Sequence, residues 1–357
     1  MQFLNGEWPE TCERCRVAEE FGGNSRRLSE LAKFKDSFTE ALNQTKPDGT
    51  VESPKILSVD LRPGNLCNLS CRMCSPVASS KWVNEWSRLN YQWFEPSKEQ
   101  LKVYDWFKDN DNLKSMSDRL LKTEHLHFGG GEPLFIQETF DLLNYCIDQG
   151  ISKNIKLSYN TNLTKLPDKV FEIWPQFKSI DLLVSLDGVG KVNDYIRSGS
   201  NFSEIDKNLN FVDQNFTNLN LSEASIMCTV QIFNVFDLEN LFNYTKSFSN
   251  ISPFPELTPL YMPDEFSIQQ LSQDLKSQAI KSIDILSDKC HGLLTKDKFS
   301  SHRKRLSDLI EIKEFLMQEA PSDMSHELKE MTLDLDDVKK MSLKDVNTTL
   351  YNWIMGI

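Results

Sequence analysis

Three cysteines fall close together in the 357-residue chain, at Cys67, Cys71 and Cys74, with three and then two residues between them. Three thiolates can hold three irons of a [4Fe–4S] cubane and leave the fourth iron open to an outside ligand. A structural cluster or zinc site normally has four protein ligands instead. The spacing therefore predicts an iron site with an open position, and a zinc site completed by a ligand elsewhere is the alternative.

A glycine-rich turn with one carboxylate follows a strand-like segment further along the chain. It consists of Gly129, Gly130, Gly131, Glu132 and Pro133. Glycine lets a backbone carbonyl approach a bound amino group without an intervening side chain, and Glu132 supplies a negative charge to the same ammonium. The turn is therefore a candidate site for the amino end of a cofactor.

Together, the cysteine loop and the Gly-Gly-Glu-Pro turn resemble the radical S-adenosylmethionine (SAM) enzymes. In that family the three-cysteine loop follows the first barrel strand and the turn follows the second. The resemblance implies that Cys67, Cys71 and Cys74 hold a [4Fe–4S] cluster, that SAM completes the open iron, and that residues 129–133 hold the methionine end of SAM. It also implies reductive cleavage of SAM to a 5′-deoxyadenosyl radical, which takes hydrogen from a substrate.

Polar residues at another strand end are candidates for the ribose of SAM. Period-two alternation directs Ser158, Asn160 and Asn162 to one side of the strand. A polar strand end bonded to the next loop is the alternative interpretation. The pair Thr161-Asn162 resembles the family's Thr-Asn-Gly turn, with Leu163 in place of the glycine.

Two further segments are expected at the same rim. Ser185 and Asp187 belong to a Ser-Leu-Asp-Gly run that resembles a motif of the family branch carrying auxiliary-cluster domains. Downstream, the guanidinium of Arg197 suits a carboxylate because it can bind it through two parallel hydrogen bonds. We therefore expect Arg197 to bind the methionine carboxylate, and a surface arginine after a short helix is the alternative.

A second cysteine pair, Cys12 and Cys15, lies near the N-terminus. It resembles the cysteine pair of the twitch type of auxiliary-cluster module, which a subset of the family carries ahead of the barrel. The resemblance implies a second iron–sulfur cluster. Among the remaining residues, Cys290 and His291 are the better candidates for additional ligands, and an ordinary helix terminus is the alternative for this pair. The alternative for Cys12 and Cys15 is a pair of structural or redox-inert thiols.

The composition limits the classes of function. The net charge of −12, from 40 Lys and Arg against 52 Asp and Glu, argues against a nonspecific nucleic-acid surface. No apolar run approaches the roughly 20 residues of a membrane span, and the first residues do not form a signal peptide. Because cluster thiols must stay reduced, and eight cysteines in so long a chain do not make a disulfide scaffold, a cytoplasmic location is expected.

Strand-like and helical segments alternate along the chain, which predicts an α/β fold with parallel strands and right-handed crossovers. The predicted strands are 56–61, 123–128, 155–161, 180–186, 224–232 and 256–261, and the predicted helices are 76–94, 98–119, 136–149, 167–177, 203–215 and 237–248. The resemblance implies a partial (β/α)6 barrel of the radical SAM type over 51–262. A short N-terminal extension, 1–50, and a mostly helical C-terminal region, 263–357, flank it.

These observations predict a radical SAM enzyme that acts on a peptide or protein, the substrate class suggested by the auxiliary-cluster relatives. A small metabolite or nucleotide is the second substrate class. A noncatalytic iron–sulfur or zinc-binding protein is the alternative from a different class. The reaction needs one electron, so a donor such as flavodoxin or ferredoxin is an expected partner.

Overall fold

Six parallel strands in sequential order form one sheet. The strands are β1 (Ser58–Leu61), β2 (His125–Phe128), β3 (Lys156–Thr161), β4 (Ser179–Ser185), β5 (Leu221–Val230) and β6 (Glu256–Pro259). Along β4, buried Ile180, Leu182 and Val184 alternate with half-buried residues, as expected for a strand with one face against a helical layer. Sequential parallel order requires a crossover between each pair of strands, and the helices supply it. The predicted partial (β/α)6 barrel is confirmed.

The structure is a computed structural model and describes residues 5–20, 25–52, 54–106, 116, 120–294 and 305–357. The chain divides into two units, Met1–Ile56 and Leu57–Ile357. The larger unit contains the sheet, its crossover helices and the helical C-terminal region. No helix within the described ranges is both long and apolar enough to cross a bilayer.

The helices follow the strand alternation in the larger unit. In chain order they are α1 (Glu13–Glu20), α2 (Arg26–Lys33) and α3 (Lys35–Gln44) in the smaller unit, then α4 (Ser80–Val83), α5 (Gln137–Asp148), α6 (Val170–Ile173), α7 (Lys191–Ile196), α8 (Phe202–Gln214), α9 (Leu238–Thr245), α10 (Gln273–Leu294), α11 (Arg305–Met317), α12 (Ser325–Lys339) and α13 (Thr348–Met355). The crossover helix α5 buries Phe140, Leu142, Leu143 and Cys146 in the core. Core contacts of this kind fix the strand ends that carry the polar site residues.

The prediction of a long helix over 76–94 is wrong. Only α4 and a short 3-10 turn, Trp86–Arg88, are helical there. The aromatic spacing that suggested a helix instead places Trp82 and Trp86 in the core, with ring centroids 5.4 Å apart. The backbone of this segment also pairs elsewhere, since Ser80 N–H donates to the carbonyl of Asn65.

The predicted helix over 98–119 is also wrong over residues 98–106. Residues 98–106 form turns and one antiparallel bridge between Gly64 and Asp105. The side chain of Asn65 holds this segment by donating to the Lys102 carbonyl and accepting from the Tyr104 N–H, both at 3.0 Å. Apart from Met116, residues 107–119 lie outside the described residues.

Candidate active site

The three clustered cysteines lie just beyond β1, at the C-terminal edge of the sheet, where active sites of parallel barrels gather. All three line one cavity of about 310 Å³. The other lining residues are Arg62, Leu69, Met73, Ala78, Ser79, Gly129, Gly130, Gly131, Glu132, Asn160, Thr161, Asn162, Ser185 and Arg197. The structure thus brings together the cysteine loop, the glycine turn and the ends of β3 and β4, which the sequence singled out.

The start of α4 holds the cysteine loop in place. The hydroxyl of Ser80 accepts from the Cys67 N–H at 3.1 Å and donates to the Cys67 carbonyl at 3.2 Å. The indole N–H of Trp82 donates to the Cys71 carbonyl at 2.9 Å. These bonds satisfy backbone groups that the irregular loop would otherwise leave unpaired, so the loop conformation does not depend on the thiols themselves.

Burial keeps the three thiols protonated when no metal is bound. It raises the pKa of the Cys67 thiol, raises that of Cys74 to about 11, and raises that of Cys71 well above its usual range. A thiolate is stable in such a place only beside positive charge, and a coordinated metal removes the thiol proton outright. A donor set of three half-buried thiols that line one cavity therefore fits a metal cofactor.

The arrangement of donors suits a cubane. Within the described ranges, no three His, Cys, Asp or Glu side chains converge on the position of one ion. A cubane takes each thiolate at a different iron, so its ligands surround a cavity rather than a point. The thiols of Cys67, Cys71 and Cys74 do surround one.

The glycine turn packs against the backbone that leads into the cysteine loop. Gly131 N–H donates to the Gly64 carbonyl at 3.2 Å, and Glu132 N–H donates to the Leu66 carbonyl at 2.8 Å. A Cβ on Gly131 would collide with the Leu66 carbonyl oxygen, and Gly130 has a φ of +103°, which favours glycine. The turn therefore needs glycine both for its conformation and for its close contact with the loop.

Glu132 lines the cavity and also ties the turn to the end of β3. Its carboxylate is 1% exposed and accepts from the Asn162 N–H and the Thr161 hydroxyl, each at 2.7 Å. Burial raises the pKa of this carboxyl to about 7. A bound ammonium would supply the positive charge that favours its ionised form. The predicted role of Glu132 toward the SAM amino group is consistent with this position and stays a prediction.

The two asparagines predicted for the ribose differ in their contacts. The Asn160 side chain lines the cavity, and its buried Oδ1 has no hydrogen-bond partner among the described residues. The Asn162 amide instead donates to Asn68 Oδ1 at 3.0 Å and accepts from Thr164 N–H at 3.0 Å. Since buried polar atoms are normally paired, Asn160 has an acceptor free for a ligand, whereas Asn162 joins β3 to the cysteine loop.

Arg197 lies at the cavity next to a buried acid. Its Nε lies 2.8 Å from Oδ2 of Asp187. The Asp187 side chain is fully buried, and its other oxygen, Oδ1, accepts from the Thr229 N–H at 2.8 Å. Ser185 and Arg197 line the cavity. Asp187 and Pro133 are not among the lining residues. Asp187 is connected to the cavity through its ion pair with Arg197.

Several residues around the cavity were not singled out from the sequence. Asn68 joins the cysteine loop to the turn after β3, and Arg72 is fully buried within the loop. The position of Arg72 between two candidate metal ligands was a signal in the sequence. A loop that surrounds a metal site is partly buried, and an arginine is rarely buried without a partner, so a partner for Arg72 could have been expected. Its partner lies 264 residues away and had no sequence signal.

The second cysteine pair lies in the smaller unit. Cys12 ends a short 3-10 turn and Cys15 lies in α1, and both thiols are half-buried. Nearby, Glu19 pairs with Arg27 and accepts from the Ser25 hydroxyl. The sequence places no further cysteine in residues 1–56, so this unit by itself supplies two thiols.

A parallel half-barrel with three thiols around a cavity at its C-terminal edge is the architecture of a metal-cofactor enzyme. Residues 61–233 match the family model of the radical SAM superfamily. Residues 61–233 therefore form a radical SAM domain, as the cysteine and glycine motifs predicted. No curated protein matches the chain.

Solved structures to which the chain is similar include native anSMEcpe with bound AdoMet and the Kp18Cys peptide, with a TM-score of 0.45 and 20% identity over 66% of this chain and 61% of that chain. Another is SuiB of Streptococcus suis bound to its precursor peptide SuiA, with a TM-score of 0.43 and 15% identity over 80% of this chain and 59% of that chain. The chain therefore matches about three fifths of the length of these proteins.

Proposed function

We propose that the protein binds a [4Fe–4S] cluster through Cys67, Cys71 and Cys74 and binds SAM in the same cavity as a radical SAM catalyst. The observation that carries the proposal is the shared cavity: three thiols and residues 129–132 line it together, inside a radical SAM domain. Three thiolates would leave one iron of a cubane open to a ligand, and the glycine turn lines the same cavity. A structural metal site with four protein ligands would not require a glycine turn in the same cavity.

When loaded and reduced by one electron, the cofactor pair would yield methionine and a 5′-deoxyadenosyl radical that takes hydrogen from the substrate. The role of the chain's own residues is to bind SAM and to orient it. Glu132 and Arg197 line the cavity and would bind the charged methionine groups, and Asn160 offers an unpaired oxygen to a ligand hydroxyl.

We further propose a peptide or protein substrate. The support is the Ser185–Gly188 run, which resembles the branch of the family with auxiliary-cluster domains. A flavodoxin or ferredoxin is the proposed electron donor. The reduced state that the thiols require is consistent with a cytoplasmic site of action.

The catalytic proposal is tested by anaerobic reconstitution with iron and sulfide, followed by measurement of 5′-deoxyadenosine formed from SAM and a chemical reductant. The wild-type protein should form it, and Cys71→Ala should not. Cys146→Ala is the matched control, because this thiol is buried in α5 and does not line the cavity. Wild-type protein that binds zinc or iron but forms no 5′-deoxyadenosine would favour a noncatalytic metal protein.

The substrate class is tested with a deuterated cell extract, by following deuterium into 5′-deoxyadenosine. Transfer that survives dialysis of the extract but is lost after protease digestion would identify a peptide or protein. Transfer that is removed by dialysis and resists protease would identify a small metabolite or nucleotide and contradict the proposed class.

A further inference from the structure

A buried arginine links the cysteine loop to the C-terminal helical region. Arg72 follows Cys71 directly and its side chain is 0% exposed. Its Nη2 lies 2.7 Å from Oδ1 of Asp336 on α12, and its Nε donates to the Tyr195 carbonyl at 2.8 Å. The guanidinium carbon lies 3.5 Å from the centre of the Tyr195 ring. The only carboxylate paired with this buried cation among the described residues is therefore Asp336.

A second cation of α12 contacts the other side of the same loop. Lys339, 5% exposed, donates to the Ser70 hydroxyl at 2.6 Å and pairs with Glu85. Its ammonium lies 3.6 Å from the Trp82 ring centre, and Trp82 in turn donates to the Cys71 carbonyl. The last turn of α12 thus reaches the loop on both sides of Cys71.

The Asp336 carboxylate is itself fixed in position. Its second oxygen accepts from the Leu343 N–H at 2.8 Å, in the turn that follows α12. Two residues earlier, Asp334 accepts from the Asn90 side chain at 2.8 Å and from the Tyr91 N–H at 3.0 Å. The C-terminal part of the helix is therefore attached to the segment that follows the cysteine loop.

Backbone bonds attach the loop to the barrel as well. Ser70 N–H donates to the Ser198 carbonyl at 3.0 Å, and Arg72 N–H donates to the Ile196 carbonyl at 2.8 Å. These carbonyls flank Arg197, which lines the cavity. A shift of Arg72 would therefore move both the thiols and the segment that carries Arg197.

We infer that Asp336 and Lys339 are positioning residues for the cluster, and that α12 holds the cysteine loop with its three thiols around the cavity before the cofactor binds. The inference rests on the proposed function, because it assigns these thiols to a [4Fe–4S] cluster. Removing the charge of Asp336 leaves Arg72 buried without a counterion. The loop must then move to hydrate the guanidinium, and Cys71 and Cys74 move with it.

The test compares Asp336→Asn with Asp337→Asn in the full-length protein. Asp337 is the neighbouring acid on the same helix, but it is 81% exposed and pairs only with exposed Lys340 among the described residues. In the metal-free chain, amide hydrogen exchange of the 67–74 loop should become roughly tenfold faster in Asp336→Asn and stay unchanged in Asp337→Asn. Asp336→Glu, which restores a carboxylate, should recover part of the protection.

The reconstituted protein supplies the second measurement. Asp336→Asn should lose iron to a chelator roughly tenfold faster than wild type, and the electron paramagnetic resonance (EPR) signal of its reduced cluster should respond less to added SAM. Lys339→Met should show the same pattern, with Lys340→Met as its control. These variants provide the test if Asp336→Asn does not fold.

Two results would overturn the inference. One is equal loop exchange and equal iron loss in Asp336→Asn and Asp337→Asn. The other is faster exchange over the whole unit in Asp336→Asn and Lys339→Met with an unchanged EPR response, which would show a role in general stability only. Wild-type protein that holds no cluster would contradict the proposed function, and loop exchange in the metal-free chain would still show whether α12 orders the loop.

Discussion

At the scale of single residues, Glu132 is expected to contribute most to SAM binding through its charge. Glu132→Gln removes that charge from the ammonium and also places an amide NH2 where the carboxylate now accepts from the Asn162 N–H or the Leu134 N–H. Losing one charge-assisted bond costs about 1.5–3 kcal/mol, or roughly ten- to hundredfold in affinity. Calorimetric titration with SAM should show this loss with iron content unchanged.

The exposed acid Glu172 is the matched control, since it lies on α6 and does not line the cavity. Glu172→Gln should bind SAM as the wild type does. Equal SAM affinity in Glu132→Gln and wild type would show that the ammonium is held by other groups.

Glu132 should also make the metal-free chain less stable as the pH rises. Its pKa is raised to about 7 in the folded state by burial, against 4.5 as the reference value. The folded state therefore keeps a proton that the unfolded state releases between these values, and stability falls from about pH 4.5 to about pH 7 and is level above. The difference in unfolding free energy between wild type and Glu132→Gln should change by up to about 3 kcal/mol over that range.

Urea unfolding of both proteins across this pH range measures the difference. A difference that does not vary with pH would contradict the raised pKa of Glu132. Because both proteins share every other titrating group, the comparison isolates this one carboxyl.

Arg197 has two separable roles in this account. Arg197→Ala should weaken SAM binding and also leave Asp187 buried without a cation, at a cost of about 3–5 kcal/mol of unfolding free energy. Adding Asp187→Asn to Arg197→Ala should recover much of the stability but none of the SAM affinity. Thermal unfolding and SAM titration of the single and double variants measure the two effects, and recovery of SAM affinity in the double variant would exclude Arg197 as a SAM ligand.

At the scale of elements, the turn after β3 keeps a backbone conformation typical of glycine without a glycine. Leu163 has a φ of +48° and is fully buried. The left-handed conformation costs a leucine about 1–2 kcal/mol, whereas burial of the side chain contributes about 2–5 kcal/mol. The packing of the Leu163 side chain therefore offsets the cost of having leucine where the family pattern has glycine.

This balance predicts an unusual order of stability at position 163. Leu163→Gly should lose packing but relieve strain, whereas Leu163→Ala should lose packing and keep the strain, so the alanine variant should be less stable by about 1 kcal/mol. At buried Leu157, the second residue of β3, the order of Gly and Ala should be reversed. Denaturant unfolding of the four variants checks both orders, and an alanine variant more stable than the glycine variant at 163 would contradict the account.

The elements show which structural features could be predicted from sequence. Strand positions followed from short apolar alternating segments, and all six were found, because a parallel sheet buries one whole face. The helix over 76–94 was wrong because Trp82, Trp86 and Trp93 have nearly helical spacing but pack as a cluster in an irregular segment. Periodicity detects burial and does not by itself distinguish a helix from a packed loop.

The candidate site was predictable to the extent that its groups are close in sequence. The cysteine spacing and the glycine turn are local motifs, so their residues could be named before the structure. The pairing of Arg72 with Asp336 and that of Arg197 with Asp187 arise only when distant elements pack together. No local pattern marks an acid on α12 as the partner of the cysteine loop.

At the scale of the whole molecule, the number of iron–sulfur clusters decides how far the chain resembles the auxiliary-cluster branch. If Cys12 and Cys15 hold a second cluster, iron per chain should approach twice the content of one cubane. The double variant Cys12→Ala/Cys15→Ala should then fall to one cubane and still form 5′-deoxyadenosine, because the radical cluster has its own three thiols. Iron and sulfide analysis of anaerobically reconstituted protein gives the counts, and equal iron in wild type and double variant would show that the pair is not a cluster site.

The central claim is that Cys67, Cys71 and Cys74 hold a cubane whose open iron meets SAM. The most direct measurement is EPR of the reduced, reconstituted protein with and without SAM. We predict the signal of a reduced [4Fe–4S] cluster that shifts when SAM is added, and no such signal in Cys71→Ala. Bound zinc, or a cluster whose spectrum does not change with SAM, would contradict the claim.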